Sequence, residues 1–309
     1  MQSTQIRFLK NNQVDKKLWD ECIDQSPTSL IYAKSVYLDC ICPGWSALTN
    51  EAYDWVMPLT SGSKYGISYL YQPPFTQQLG VFKKHELVNI PWEQILLKAG
   101  GKFRYWQYNF NYGTPPIFDE SFSVKPATNF VLPLLQGYDS IQPSYTNDLV
   151  RNLTKSSRQQ LSYVTNADPS LAIEMYKALY GNRMPHVTAT DYNRFKNLIS
   201  ILQAEQQIVC RQVLNDQNET QAIALLLRDQ KRLYNLMNSN TDAGRKAGTN
   251  HFLMDAIIKE FAGQDLIFDF EGSDLEGVKA FYQNFGAINQ PYYMVTYNKL
   301  PWPIKLFKR

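Results

Sequence analysis

The spacing of apolar residues changes abruptly at residue 207, and this change constrains the fold more than any other feature of the sequence. Apolar residues keep helical spacing in three segments before that point: 145–164, 171–181 and 191–204. Three short segments then follow the strand pattern: 207–214, 221–228 and 232–238. Polar residues typical of hairpin turns separate these strands, so the pattern predicts a three-stranded antiparallel meander.

Helices and strands alternate after the meander. The sequence predicts a polar loop with glycines over 239–249, a helix that ends at Gly263, a strand over 265–270, a helix over 274–285 and a strand over 292–297. This order is neither the alternation of a dinucleotide-binding fold nor a barrel repeat. It resembles the order of elements in the GNAT acyltransferase fold.

The first half of the chain repeats the same order more faintly. We therefore predict an α/β (α+β) fold of two tandem GNAT-like domains, similar to acyl-CoA N-acyltransferases. Each domain is expected to be a mixed, mostly antiparallel sheet flanked by helices. Turn-forming residues in 136–144 place the boundary, which gives a degenerate acceptor-side domain over 1–140 and an acyl-donor domain over 141–309.

Composition excludes several classes of protein. With 309 residues and 44% hydrophobic content, the chain can bury a sizeable core. Its net charge of +3 is too small to indicate a nucleic-acid surface by itself. No apolar stretch approaches the roughly 20 residues that cross a bilayer. We expect a cytoplasmic protein with no membrane span and, because its histidines and cysteines lack metal-ligand spacing, no metal.

The loop between the third strand and the next helix predicts a binding site for an anion. Backbone N–H groups at the start of that helix could face a pyrophosphate. GNAT acetyltransferases carry Arg/Gln-x-x-Gly-x-Gly/Ala here, and this chain has Arg245, Gly248 and, in the last position, the bulkier Asn250. The resemblance implies acyl-CoA as the donor substrate, held by Met237, Asn238, Arg245, Lys246, Gly248, Thr249 and Asn250. The alternative is an ordinary loop with a helix cap.

Two further motifs resemble the Fem family of peptidyltransferases within the GNAT superfamily. One is Phe268-Asp-Phe-Glu-Gly-Ser273 with the later Phe281-Tyr-Gln-Asn-Phe-Gly-Ala287, and the other is Leu153-Thr-Lys-Ser-Ser-Arg158, which also resembles BioF2-like acetyltransferases. The resemblance covers about residues 145–295. It implies a bacterial N-acyltransferase that moves an acetyl or aminoacyl group from a CoA-type or aminoacyl-tRNA donor to an amine, as in a peptidoglycan precursor.

Three residues are candidates for proton transfer. Asp269 and Glu271 stand two apart on one predicted strand, so their side chains should face the same way, and one could accept the proton of an attacking ammonium. Tyr282 could donate a proton to a leaving thiolate. The alternatives are a helix cap or solvated face for the two carboxylates and a core position for the tyrosine.

Substrate-binding residues are predicted in both halves. Lys155 and Arg158 follow Arg151 at helical spacing, so these cations could hold the phosphates of a substrate or form a solvated basic face. In the first half, the loop over 72–80 could line a groove for the acceptor or simply pack on the core. Its candidate residues are Tyr71, Gln72, Phe75 and Gln78.

Two other functions stay open at this point. The chain could be a non-catalytic binding module on a degenerate GNAT fold, and Asn250 in place of a small residue favours that interpretation. It could also be an aminoacyl transferase that uses tRNA, although its charge does not support tRNA binding.

Overall fold

The computed structural model describes residues 5–115, 117–272 and 274–307. The chain forms two compact units: unit 1 is Met1–Ala127 with Pro291–Arg309, and unit 2 is Thr128–Gln290. The division therefore falls at 127/128 and 290/291, where we predicted one boundary at 140/141. The reason is that the strand Phe130–Pro133 joins the sheet of unit 2, whereas the last strand joins a sheet of unit 1.

Strands and helices are numbered in chain order. The strands are β1 Arg7–Lys10, β2 Ser46–Thr49, β3 Trp55–Leu59, β4 Ser61–Lys64, β5 Ile67–Tyr71, β6 Phe82–Lys83, β7 Tyr105–Phe110, β8 Phe122–Ala127, β9 Phe130–Pro133, β10 Ser162–Val164, β11 Ile208–Leu214, β12 Thr220–Arg228, β13 Arg232–Asn240, β14 Ile267–Asp269, β15 Ile288–Asn289 and β16 Tyr292–Asn298. The helices are α1 Lys16–Gln25, α2 Ser35–Ile41, α3 Trp92–Lys102, α4 Tyr138–Ile141, α5 Asn147–Ser156, α6 Pro169–Tyr180, α7 Ala189–Ala204, α8 Asp242–Ala247, α9 Thr249–Phe261 and α10 Glu276–Gln283.

Unit 1 contains two sheets, with strand orders β1-β2-β3-β6 and β4-β5-β7-β16-β8. Its first helix shows how the sequence forms these elements: the Asp15 side chain accepts from the backbone N–H of Leu18, and Trp19, Cys22 and Ile23 bury one face. The helix α3 begins directly after Pro91, because proline suits the start of a helix and not its interior.

Unit 2 is built on one mixed sheet with strand order β10-β11-β12-β13-β14-β9-β15. The predicted meander is confirmed as β11, β12 and β13, which pair antiparallel. β14 then pairs parallel with β13 and antiparallel with β9. α9 packs against β11, β12 and α5, and its residues Leu253, Ile257 and Phe261 lie in the core at helical spacing. Burial of each such side chain stabilises the unit by about 1.5–3 kcal/mol.

The predicted glycine loop over 239–249 is mostly helical, which corrects that prediction. Thr241 caps α8 by accepting from the backbone N–H of Gly244 at 2.9 Å. Gly248 then separates α8 from α9 in the left-handed conformation, with φ of 76°, which glycine adopts without strain. Two short helices therefore meet at Gly248 beside the end of β13.

Candidate functional site

The sheet of unit 2 opens between its two parallel strands. β13 and β14 pair from Arg232 opposite Ile267 to Tyr234 opposite Asp269, where β14 ends. β13 continues for six residues, 235–240, of which 237–240 pair with β12 on their other side. A cavity of about 600 Å³ lies along this part of β13, with Leu236, Asn238 and Asn240 in its wall. Backbone groups at such an opening are available to an extended ligand.

A β-bulge turns one further side chain of β13 into this cavity. The pairing with β12 shifts by one residue between Leu225 and Leu227, so Asn235 and Leu236 stand opposite a single residue. Both line the cavity. The Asn235 side chain is buried, and its Oδ1 has no hydrogen-bond partner among the described residues. Asn235 was not predicted as a site residue, although an asparagine within an apolar strand is a signal that could have indicated it.

The start of α9 forms a second wall. Gly248, Asn250 and His251 line the cavity there. A Cβ added to Gly248 would lie 3.4 Å from the carbonyl oxygen of Asn152, so the strain of any other residue comes chiefly from the positive φ. The Oδ1 of Asn250 is buried and has no hydrogen-bond partner among the described residues. The partial positive charge at the N-terminus of this 13-residue helix favours a negatively charged group.

The remaining predicted donor-binding residues divide into two groups. Arg245 lines the cavity, and its Nη2 donates to the carbonyl oxygen of Asn240 at 3.1 Å. Lys246 is exposed outside the cavity wall. Met237 and Thr249 are buried outside that wall, and Thr249 Oγ1 donates to Asn240 Oδ1 at 2.9 Å. Asn238 and Arg245 are therefore placed at the cavity with Gly248 and Asn250.

Asp269 and Glu271 have different surroundings, so their predicted common orientation is wrong. Asp269 is 1% exposed and forms an ion pair of 2.6 Å with Arg232, whose side chain is 2% exposed. Asn129 Nδ2 also donates to Asp269, at 3.2 Å. Glu271 lies after the end of β14 with a positive φ of 61° and lines the cavity. The two carboxylates differ because the chain leaves the strand between them.

The buried carboxylate of Asp269 holds the backbone of Glu271. Asp269 Oδ1 accepts from the Glu271 N–H at 3.0 Å. A non-glycine residue at positive φ costs of order 1–3 kcal/mol and persists where the surroundings fix it. Asp269 is thus a positioning group for Glu271, and Glu271 is the carboxylate of this pair in the cavity wall. Ser273, the last residue of the Fem-like motif, lies outside the described residues.

Aromatic side chains surround Glu271. Tyr282 and Phe281 of α10 and Tyr176 of α6 all line the cavity. Burial, and then the charge of Glu271, raises the pKa of Tyr282 well above its usual range. Burial is also the main cause that raises the pKa of Tyr176 to about 12, with a smaller contribution from Glu271. Burial lowers the pKa of His251, whose ring stacks edge-on against Phe281 at 4.9 Å. Both tyrosines and the imidazole are therefore neutral at pH 7.

Solved structures share this architecture along nearly the whole chain. FemX has a TM-score of 0.64 and 12% sequence identity, with 98% of this chain and 99% of that chain covered. The C-terminal domain of an Agrobacterium fabrum protein described as a lysylphosphatidylglycerol synthetase has a TM-score of 0.54 and 13% identity, with 95% of each chain covered. L-PGS from Bacillus licheniformis has a TM-score of 0.54 and 10% identity over the same shares.

The chain has a GNAT-like, Fem-type fold. The predicted fold class is therefore confirmed. No protein-family model matches the sequence, and no curated protein matches it. Identities of 10–13% show the shared fold and leave the chemistry to be argued from this chain's own residues.

The basic residues at the start of this Fem-type unit are not placed as predicted. α5 ends at Ser156, and Arg158 follows in a turn, so Arg151, Lys155 and Arg158 do not share one helix face. All three side chains are exposed outside the cavity wall. Arg183, which the sequence analysis missed, does line the cavity and lies 5.7 Å from the ring centre of Tyr180.

In unit 1, the structure separates the four predicted acceptor-binding residues. Tyr71 lines a cavity of about 370 Å³. Gln72 lines a different cavity of about 700 Å³, and its Oε1 also accepts from the backbone N–H of Asn109 at 3.0 Å. Gln78 is fully buried and accepts from a backbone N–H at 3.0 Å. Phe75 accepts from the Tyr37 hydroxyl through its backbone oxygen. The contacts of Gln78 and Phe75 favour packing of the loop on the core of unit 1.

The described part of the chain lacks two further features. Residues 5–115, 117–272 and 274–307 contain no cluster of three or more His, Cys, Asp or Glu side chains arranged to hold a metal ion. Within the same residues, no helix has the length and the apolar character needed to cross a membrane.

Proposed function

We propose that the protein is an N-acyltransferase and that the cavity of unit 2 binds its activated acyl donor. The observation that carries this proposal is the opening of the sheet at 235–240, where the unpaired edge of β13 meets the start of α9 and the carboxylate of Glu271 in one cavity. An extended donor needs exposed backbone groups along its length, and acyl transfer needs a proton acceptor near the reacting carbonyl. The Fem-type fold supports the same function.

The cavity wall carries groups that suit both the phosphates and the acyl group of such a donor. Arg245 and Arg183 line it together with the start of α9, and guanidinium groups and helix N-termini both favour phosphate. Glu271 and the tyrosines of α6 and α10 line it as well. On this proposal Arg245 contacts the phosphates of the donor, and Glu271 lies near its acyl group. We take the donor to be acyl-coenzyme A.

The chemistry then follows from the residues around Glu271. The nitrogen of an amine attacks the donor carbonyl, so that a C–N bond forms and the C–S bond breaks. Glu271 takes the proton lost by the amine, and the leaving thiolate takes a proton from solvent or from a nearby hydroxyl. The raised pKa of Tyr282 makes it a poor acid at pH 7, but its hydroxyl can donate a hydrogen bond to a developing negative charge.

Calorimetric titration with acetyl-coenzyme A and desulfo-coenzyme A tests the donor site. We expect wild-type protein to bind both, and Gly248→Trp to lose that binding because the indole would occupy the part of the cavity beside the start of α9. Gly263→Trp is the matched control: Gly263 also has a positive φ, of 85°, with no atom within 4 Å of an added Cβ, and it lies outside the cavity wall. Absence of binding to wild-type protein at millimolar ligand would refute acyl-coenzyme A as the donor.

The role of Glu271 is tested by release of free thiol from acetyl-coenzyme A in the presence of a panel of primary amines. Glu271→Gln keeps the size of the side chain and removes its basicity. We expect the rate of transfer to fall by about 10²–10⁴-fold while donor affinity changes less than about twofold. An unchanged rate would remove Glu271 from the mechanism and leave the donor site intact.

A second function deserves a test because of Asn250. Its side chain lines the cavity at the start of α9, where GNAT enzymes carry a small residue, and this favours a non-catalytic module that binds a different anion. An Asn250→Gly variant separates the two functions. If the variant gains affinity for desulfo-coenzyme A by more than about tenfold while wild-type protein releases no thiol with any amine, the binding module is the better interpretation. If the donor is instead an aminoacyl-tRNA, the affinity of the protein for tRNA should depend strongly on salt concentration.

A further inference from the structure

Four aromatic rings line the same cavity of unit 2 as the carboxylate of Glu271. Tyr176 and Tyr180 belong to α6, and Phe281 and Tyr282 belong to α10. Each pair is arranged edge to face, with ring centres 5.1 Å apart in α6 and 5.8 Å apart in α10. All four residues are half-buried, so each keeps accessible surface. The cavity therefore has an aromatic wall that a ligand can reach.

The negative charge of Glu271 lies near these rings. Burial is the main cause that raises the pKa of Tyr282, and the charge of Glu271 is the next. The charge of Glu271 also contributes, after burial and two neighbouring tyrosines, to the raised pKa of Tyr176. Tyr176 and Tyr180 in turn contribute to the raised pKa of Tyr282, so the tyrosines of the two helices are near one another. A carboxylate beside neutral aromatic rings, whose faces are electron-rich, is a combination that attracts a cation.

One cation of the chain already lies against this wall. The guanidinium of Arg183 is 5.7 Å from the ring centre of Tyr180, within the distance of about 6 Å over which an aromatic face attracts a cation. Tyr180 is therefore engaged by the chain itself. The three remaining rings are those of Tyr176, Phe281 and Tyr282, and a cationic ligand in the cavity would contact these three.

We propose that three rings and one carboxylate bind the ammonium group of the acyl acceptor: Tyr176, Phe281, Tyr282 and Glu271. The acceptor is accordingly an aliphatic amine, because aliphatic amines have pKa values of about 10 and are cations at pH 7, whereas aromatic amines are neutral. This inference rests on the proposed function and deepens it, because it specifies the chemical class of the amine.

The same site accounts for the start of the reaction. The ammonium gives one proton from its nitrogen to a carboxylate oxygen of Glu271, which leaves a neutral amine and a carboxylic acid. The lone pair of the amine then attacks the acyl carbon. The amide product carries no charge at this nitrogen, so the rings attract the substrate more strongly than the product.

Two probes of equal chain length that differ in charge test the site. Butylammonium and butan-1-ol are titrated by ligand-observed NMR at pH 7 against wild-type protein, alone and with saturating desulfo-coenzyme A. Desulfo-coenzyme A carries no acyl group to transfer, and its phosphates offset the charges of Arg183 and Arg245 in the same wall. We expect butylammonium to bind at least about tenfold more tightly than butan-1-ol. Equal binding of the two probes, or no binding of butylammonium, would overturn the proposal.

Variants distinguish the contribution of the rings from that of the carboxylate. Tyr176→Leu removes a ring and keeps an apolar side chain, so we expect the affinity for butylammonium to fall about threefold to fivefold while the affinity for butan-1-ol stays within about twofold. Tyr176→Phe keeps the ring and should keep the preference for butylammonium. Phe281→Leu should behave like Tyr176→Leu, and Phe252→Leu is its matched control, since Phe252 is a half-buried phenylalanine of the same unit outside the cavity wall. If only Glu271→Gln lowers the preference, the carboxylate alone binds the ammonium and the role of the rings is wrong.

The two proposals fail in different ways. If desulfo-coenzyme A does not bind but wild-type protein prefers butylammonium over butan-1-ol, the ammonium site stands and the donor is a different molecule. If desulfo-coenzyme A binds and the two probes bind equally, the donor site stands and the ammonium site is wrong.

Discussion

Replacing Arg232 by methionine tests most directly how the buried ion pair of Arg232 and Asp269 contributes to stability. Arg232 and Asp269 are 2% and 1% exposed and their charged groups are 2.6 Å apart. The variant leaves the Asp269 carboxylate buried with two remaining donors, Asn129 Nδ2 and the Glu271 N–H. Removal of one partner from a buried pair destabilises proteins by about 3–5 kcal/mol, because the remaining charge is uncompensated.

A second substitution, at Asp269, distinguishes the effect of the buried charge from the effect of the changed side-chain shape. In Arg232→Met/Asp269→Asn, the asparagine oxygen can still accept from the Glu271 N–H, but no buried charge remains. We therefore expect the double variant to recover at least about 2 kcal/mol of the loss. With a urea m-value of about 2 kcal/mol/M, the single variant should lower the unfolding midpoint of unit 2 by roughly 1.5–2.5 M.

The assay has to follow the two units separately. All six tryptophans lie within the residues of unit 1, so tryptophan fluorescence follows that unit. Amide hydrogen exchange in 232–240 follows unit 2. A loss below about 1 kcal/mol in Arg232→Met, or no recovery in the double variant, would refute the argument that an uncompensated charge on Asp269 dominates the effect.

Two further predictions concern pH and use buried titratable groups of unit 2. Burial lowers the pKa of His251, so the unfolded chain binds the proton more readily than the folded chain. The free energy of unfolding of wild-type protein should therefore fall as pH decreases through about 6.5, by at most about 1.4 kcal/mol per pH unit. In urea titrations between pH 7 and 5, His251→Phe should remove that slope. A slope that persists in the variant would contradict this assignment. The carboxylate of Asp255 accepts from the hydroxyls of Tyr138 at 2.7 Å and Tyr145 at 3.0 Å, and burial raises its pKa. Protonation of Asp255 therefore favours the folded state, and its contribution to stability is lost as pH rises through the pKa of the folded state. Asp255→Asn keeps the acceptor without the charge, and its Tm should equal or exceed that of wild-type protein at pH 7 and approach it near pH 4; a lower Tm at pH 7 would show that the charged form is the stabilising one.

The structure also changes which residues are worth mutating in a functional screen. Six of the site residues predicted from the sequence line the cavity of unit 2: Asn238, Arg245, Gly248, Asn250, Glu271 and Tyr282. Asn235, Tyr176, Arg183 and His251 line the same cavity and were not predicted as site residues. Five other predicted residues of unit 2 lie outside the wall of this cavity: Lys155, Arg158, Lys246, Met237 and Thr249. Substitutions at this last group should therefore affect donor affinity less than substitutions in the first two.

The sequence by itself determined the order of elements in the second half of the chain. The meander and α9 could be predicted because hydrophobic period and turn residues are local properties, visible within 8 to 15 residues. The proposed anion site could also be located in the sequence, since Gly248 and the helix after it are adjacent in sequence. The conformation between β13 and α9 was harder, because the cap of α8 depends on one hydroxyl, that of Thr241, and not on a repeating pattern.

Only the tertiary structure decided which strands complete which sheet and which carboxylate faces the cavity. β9 and β16 are short strands, and their local sequence patterns do not indicate which strands they pair with. Their partners, β14 and β7, are each more than a hundred residues away in sequence. Asp269 and Glu271 look equivalent in sequence. Arg232, 37 residues away, selects Asp269 for the core because a buried carboxylate needs a buried cation, and Glu271 is left at the cavity.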